Sequence, residues 1–203
     1  RPFELVGDPR REALAEWRPR RDSDEVRTHG PELGSAVSAV IRAFIALELQ
    51  KELLDRLVGL LGQLRLLNLD GRIARPGSIH LTLKFLGEIR SDRVPAIQQA
   101  LKNSVQGLEP FALQIGGLGT FPTLRRPRVL WIGVEECESF RRLKPELEAE
   151  LEALGFPVDG GAFRPHLTLM RLKSSRNVDR LSRLVQSDPE PATLGVLDVD
   201  SVH

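Results

Sequence analysis

From Ile41 onward the apolar positions of the chain alternate between two periods. Arg42 to Leu49 reads as a buried strand, and Lys51 to Leu64, with Leu at 53, 54, 57, 60, 61 and 64, repeats at the spacing of an amphipathic helix. A short strand over Arg72 to Arg75 ends at the turn signal Pro76-Gly77, and a strand over 79 to 87 is expected to close at Gly87. The next helix runs from Ser91, its expected N-cap, to Val105, with Gly107 as the stop. Pro110 to Leu118 reads as a strand running into Gly116-Gly117, followed by a loop to Pro127 and a strand over Arg128 to Val134. The spacing of these two is that of a long antiparallel hairpin. Ser139 to Leu154 is a third helix, striped by Leu143, Leu147, Leu151 and Leu154 and ended by Gly155. A strand over Pro165 to Leu172 follows. Asn177 is expected to cap a helix through Val185, and Ala192 to Val202 reads as a strand still in progress at the last residue, so the natural chain is expected to continue past His203.

The order β-α-(β)-β-α-β-β-α-β-α-β, with no Gly-rich loop following a strand in the manner of a nucleotide-binding parallel sheet, predicts an α+β fold with two antiparallel sheets or lobes. Residues 1 to 40 differ. They hold seven Arg against eight Asp or Glu, are interrupted by Pro2, Pro9, Pro19 and Pro31, and have no apolar period. They read as a poorly ordered extension ahead of a domain over 41 to 203. No signal-type apolar stretch follows their Arg pairs.

Two strands repeat one tetrapeptide: Ile79-His80-Leu81-Thr82-Leu83 and Pro165-His166-Leu167-Thr168-Leu169. Strand alternation sets each His on one face with the Thr two residues on, and the Leu residues on the other, toward a core. Two of the chain's four histidines lie in these identical runs, which reads as one site built twice. His29, beside Gly30-Pro31, reads as a loop residue and His203 as a strand-end residue. Histidine exists in both protonation states near neutrality, so a facing pair supplies a base and an acid. The two Thr hydroxyls add neutral donors for an anionic oxygen. A phosphodiester fits these parts: water attacks phosphorus on one side, an alkoxide leaves on the other, and the non-bridging oxygens need donors. That scheme requires no metal. The chain lacks His-x-His, His-Glu-x-x-His and cysteine ligand clusters, and it lacks the Gly-x-Ser-x-Gly of a serine hydrolase.

Composition narrows the setting more than the chemistry. Hydrophobic residues make up 41% and charged residues 28%, with apolar runs too short to span a bilayer, so no membrane partner is expected. The single cysteine, Cys137, excludes an internal disulfide and suits a reducing, cytoplasmic interior. A net charge of +1 gives no case for binding long nucleic acid, although Arg125, Arg126 and Arg128 cluster locally and a short or terminal nucleic-acid substrate fits.

The paired His-x-Thr strands come with Arg-Ala-Phe-Ile-Ala-Leu near the start. They also come with Ile-His-Leu-Thr-Leu-Lys-Phe-Leu-Gly-Glu, Gly-Thr-Phe-Pro-x-Leu-Arg-Arg-Pro-Arg-Val-Leu-Trp and Phe-Arg-Pro-His-Leu-Thr-Leu-x-Arg-Leu-Lys. Together they resemble the two-histidine phosphoesterases, and within them the RNA 2',3'-cyclic phosphodiesterases, first called 2'-5' RNA ligases. The resemblance covers residues 42 to 203. It implies a bilobal α+β fold with pseudo-twofold symmetry, helices outside and the active site in a central cleft. It also implies cofactor-free, metal-free opening of a 2',3'-cyclic phosphate to a 2'-phosphate, with 2'-5' ligation as the reverse direction. Substrates would be RNA ends or nucleoside 2',3'-cyclic phosphates, and a monomer is expected. His80 would donate a proton to the leaving 3' oxygen and His166 would activate water. Thr82, Thr168 and Arg171 would bind phosphate. Plain alternation gives Arg171 the parity of Leu167 and Leu169, so this last role needs a twist or bulge, or else Arg171 stands at the rim. The alternative is a nucleotide- or RNA-end-binding module using the same cleft without turnover. Third comes a structural domain in which either His contributes stability alone.

Overall fold

The structure, a computed structural model, describes residues 39–186 and 193–202. All but the last two residues of the expected extension over 1 to 40 lie outside the described residues, as do His29 and His203. The strands are β1 (Val40–Leu47), β2 (Gly71–Ile73), β3 (Leu81–Arg90), β4 (Phe111–Phe121), β5 (Val129–Glu135), β6 (His166–Leu172) and β7 (Thr193–Val199). The helices are α1 (Lys51–Leu66), α2 (Val94–Ser104), α3 (Glu138–Ala153) and α4 (Val178–Gln186). The fold is α+β with two antiparallel sheets, as the pattern predicts. One sheet pairs β1 with β3, and the other has the order β2-β6-β5-β4-β7.

The helices form where apolar residues recur every three or four positions. In α1 the buried stripe is Leu53, Leu57, Leu61 and Leu64, with Glu52 in the first turn and Arg65 in the last, each favourable to the helix dipole. In α3 the stripe is Phe140, Leu143, Leu147 and Leu151, and Gly155 follows at φ 84, the left-handed conformation that ends a helix. α1 packs against β7, and α2 against α3. The stripes join Leu81, Leu83, Leu167 and Leu169 in one continuous apolar core, so the inward-facing leucines of both repeats are where alternation puts them.

Two glycines that read as strand ends are bulges inside strands. β3 does not close at Gly87 but runs to Arg90; the register steps from Ala43↔Gly87 to Phe44↔Phe85, with Gly87 at φ 73. β4 passes through Gly116-Gly117 to Phe121, its register stepping from Gly116↔Gly133 to Leu118↔Ile132, with Gly117 at φ 70. The expected hairpin between β4 and β5 is therefore longer than the sequence suggested. Two expected caps also differ. Ser91 opens a 3-10 turn whose backbone N–H bonds Ala39 O at 2.7 Å, and the residue preceding α2 is Arg93, without a side-chain cap. Asn177 precedes α4, but at φ 59 its side-chain Nδ2 donates across to Asn68 O at 2.8 Å.

Candidate functional site

The two His-Leu-Thr-Leu runs sit in strand pairs of the same register. In the small sheet Leu47 faces Leu81, Ala46 faces Thr82, and after a step Ile45 faces Lys84 and Phe44 faces Phe85. In the large sheet Ile132 faces Leu167, Trp131 faces Thr168, and after a step Leu130 faces Met170 and Val129 faces Arg171. Leu83 and Leu169 are thus the extra residues of equivalent bulges. Each bulge reverses the alternation beyond it. Lys84 and Met170 turn inward and are buried, while Phe85 and Arg171 return to the exposed face shared by the Thr residues. This resolves the parity of Arg171: the chain bulges, and its guanidinium emerges on the face of His166 and Thr168.

β3 and β6 lie against one another although they belong to different sheets. The segment leading to each histidine is fastened to the strand that carries the other. Ahead of His80, β2 pairs with β6, Ala74 N–H bonds Leu169 O at 2.8 Å, and a turn closed by the Ser78 hydroxyl on Arg75 O at 2.8 Å delivers the histidine. Ahead of His166, the chain passes Pro157 and Asp159, and both are held by Lys84 of β3. Its ammonium donates to Pro157 O at 2.6 Å, Glu148 Oε2 at 2.7 Å and Asp159 Oδ1 at 2.9 Å. Lys144 completes the cluster against Glu148 and Asp159, with its ammonium over the Phe163 ring. Burial opposes the charge on Lys84, but the hydrogen bonds and charges of Glu148 and Asp159 outweigh it and hold its pKa above the usual lysine value. Burial likewise opposes the Asp159 carboxylate, and the Lys84 hydrogen bond with the Lys144 charge pulls its pKa below the ordinary value.

Both histidines are half-buried and packed against aromatic side chains, His80 against one ring and His166 against two. Phe44 stacks on His80 with centroids 4.5 Å apart at 15°, and Phe85 leans on Phe44 at 6.2 Å. Phe121 meets His166 edge-on at 5.0 Å, with Trp131 at 6.1 Å. Trp131 lies over Gly119, where a Cβ would fall inside the indole ring. Such aromatic contacts fix ring planes and contribute about 0.5–1.5 kcal/mol each. Burial lowers the His80 pKa below its ordinary value, and the Glu48 charge partly offsets it. His166 Nδ1 is 2.7 Å from Arg164 O, and since a carbonyl only accepts, Nδ1 donates and carries the proton. In the neutral form of the ring this tautomer leaves Nε2 as the unprotonated nitrogen.

The expected strand over 79 to 87 begins at Leu81, so His80 stands one residue ahead of β3 and Thr82 on it, while His166, Thr168 and Arg171 lie on the abutting strand β6. The sequence reading gave no role to Phe44, Phe85, Phe121, Trp131 or Lys84, although all stand in the blocks that carry the resemblance. Among the described residues no group of three or more His, Cys, Asp or Glu is arranged to hold a metal ion.

The 2'-5' RNA ligase superfamily matches residues 52–203 of the chain. The RNA 2',3'-cyclic phosphodiesterase of Methanothermobacter thermautotrophicus is 34% identical over 145 residues, 71% of this chain and 78% of that protein. That of Aeropyrum pernix is 35% identical over 127 residues, 62% of this chain and 70% of that one. A solved protein of Thermus thermophilus is similar with a TM-score of 0.57 at 29% identity, over 80% of this chain and 83% of its own. Escherichia coli LigT complexed with 3'-AMP has a TM-score of 0.62, over 81% and 85%, and at 22% identity it speaks for the fold alone.

Proposed function

The chain belongs to the 2'-5' RNA ligase superfamily, and from that premise we propose that it hydrolyses RNA 2',3'-cyclic phosphodiester ends to 2'-phosphomonoesters with His80 and His166 as acid and base. The observation that carries the reading is the doubled strand pair: each of two touching strands presents a Thr at the same register before the same bulge, and each Thr follows a His by two residues. The bond from Nδ1 to Arg164 O supports His166 as the base, because it leaves Nε2 free to take a proton. In this scheme His166 accepts a proton from water as the water oxygen bonds phosphorus. The bond from phosphorus to O3' breaks, and His80 gives its proton to O3'. The phosphate stays on O2'. Thr82 and Thr168 donate to the non-bridging oxygens, whose charge grows as water adds. Arg171, on the same face beyond its bulge, holds the phosphate in ground and transition states alike.

The chain's own residues supply every proton movement in this scheme. The test is hydrolysis of a nucleoside 2',3'-cyclic phosphate in the presence of a chelator, with the product's phosphate position read by phosphorus NMR. A 2'-phosphate formed at an unchanged rate is expected. Binding without turnover would make the chain a nucleotide-binding module, and loss of activity restored by a divalent ion would overturn the mechanism. We also place it in the cytoplasm as a monomer, in keeping with its single cysteine. No helix among the described residues is long and apolar enough to cross a membrane.

A further inference from the structure

The exposed face that carries His166, Thr168 and Arg171 does not end at Arg171. On the neighbouring strand Arg72 is the paired residue of Arg171, and Val129 pairs Arg171 from the other side. Paired residues share a face, so two guanidinium side chains stand directly across from each other beside the site. Lys173, two residues and about 7 Å further along, has the parity of Arg171. All three are exposed. Among the described residues none of them meets a carboxylate within ion-pair distance. Asp70, whose backbone oxygen accepts the Lys173 N–H at 2.9 Å, has its carboxylate turned to the Ser174 hydroxyl at 2.6 Å. Like charges directly opposite on adjacent strands are destabilising by themselves. An anion between them converts that repulsion into charge-assisted hydrogen bonds.

We propose that Arg72 and Lys173 form a second phosphate site, which takes the internucleotide phosphate preceding the cyclic end. This rests on the proposed activity. Arg171 stands about 13 Å along β6 from His166, four paired positions at about 3.3 Å each. It can lean back toward a phosphate at Thr168, whereas Arg72 lies to the side and Lys173 beyond, where the proposal seats the next phosphate of the strand. Basic groups continue past them. At the end of the sheet Arg126 and Arg128 line a recess of about 260 Å³ with Pro127, Ser174 and Ser175, and Arg128 is steadied by donating to Lys173 O at 2.9 Å.

The experiment compares kcat/KM for a mononucleoside 2',3'-cyclic phosphate and for a trinucleotide ending in the same group, in the wild type, Arg72→Gln and Lys173→Gln. Both side chains are exposed, so neither substitution disturbs the core. Each variant is expected to lose on the order of tenfold more on the trinucleotide than on the mononucleotide, the worth of a hydrogen bond to a charged group. For each lost phosphate contact the slope of log(kcat/KM) against log salt should fall by about 0.7 on the trinucleotide. Arg72→Lys should recover part of the loss. Equal losses on both substrates would assign the row to the reacting phosphate and overturn the inference, as would wild-type behaviour on both. Hydrolysis of the mononucleotide by the wild-type protein tests the activity itself, so the two readings fail separately.

Discussion

Replacing Lys84 by Met is expected to destabilise the protein and to slow turnover through the second histidine, although Lys84 follows the first. The lysine side chain is 2% exposed and donates to Glu148, Pro157 and Asp159. Met keeps the length and the apolar stem and removes the three donors. Taking one partner from a buried ion pair costs about 3–5 kcal/mol. Glu148 retains Lys144, and the Asp159 side chain is 55% exposed and can rehydrate, so the lower end applies, about 3 kcal/mol. At about 2–4 °C per kcal/mol for a protein of this size, the midpoint of thermal unfolding should fall by about 6–12 °C. Urea titration should show the same loss without a change in slope. Adding Glu148→Met removes the buried carboxylate that has lost one of its two cations and should recover part of the stability, with Lys144 still facing Asp159. Freed of its anchor at Pro157 and Asp159, the approach to His166 wanders, and a misplacement of about 1 Å can cost up to about 10²-fold in kcat. A loss of less than about 1 kcal/mol in Lys84→Met, or a double variant no more stable than the single, would refute this account of the cluster.

Four further outcomes are expected. His80→Ala and His166→Ala should each lower kcat by about 10²–10⁴-fold with unfolding midpoints near the wild type, and the double variant should be little worse than the worse single one; strictly multiplicative losses would show that the two act independently. Thr82→Val and Thr168→Val should depress kcat by up to about 2.7–4 kcal/mol in barrier, whereas Arg171→Ala should raise KM at least as visibly as it lowers kcat; wild-type constants in all three would remove the phosphate cradle. In the proposed scheme His80 acts protonated, and burial depresses its pKa, so the limb on which kcat/KM falls as pH rises should lie below the ordinary histidine value of about 6.5. Glu48→Gln, which removes the charge favouring the imidazolium, should move that limb lower still, and a shift upward would contradict the assignment. Finally, a chain beginning at Ser38, just ahead of the Ala39 carbonyl that accepts the Ser91 N–H, should fold and keep its activity; failure to fold would show that residues 1–37 are integral to the domain.

Much of this was legible because it depends on local period. The leucine stripes of α1 and α3, the alternation in His-Leu-Thr-Leu and the antiparallel hairpin of β4 and β5 are properties of neighbouring residues, and each element exists as the pattern predicts, although β3 and β4 run past their expected ends. The bulges were not legible. A bulge is a mismatch between two strands, and nothing in Thr82-Leu83-Lys84 or Thr168-Leu169-Met170 announces that the partner strand skips a residue. Plain alternation sets Lys84 beside Thr82 on the site face and Arg171 among the core leucines, and the structure reverses both. Nor does sequence order reveal that β2 pairs with β6, since that choice is made across nearly a hundred intervening residues. The rings beside the histidines could have been suspected from Gly119 and Trp131, because a glycine inside a strand marks close approach by something large, here the indole.

The crossed fastenings of the two approach segments bear on how the cleft moves. Swinging one histidine strand away from the other would have to break the Ala74 bond to Leu169 and the Lys84 cluster at Pro157 and Asp159 together. A hinge needs at least one side free, and this arrangement leaves neither. If the two histidines act as proposed, their positions are held by the folded chain before substrate arrives, which is the condition for electrostatic preorganisation. The groups left free to move are exposed side chains, Phe44 and Phe85 beside His80 and Arg171 on the face of His166.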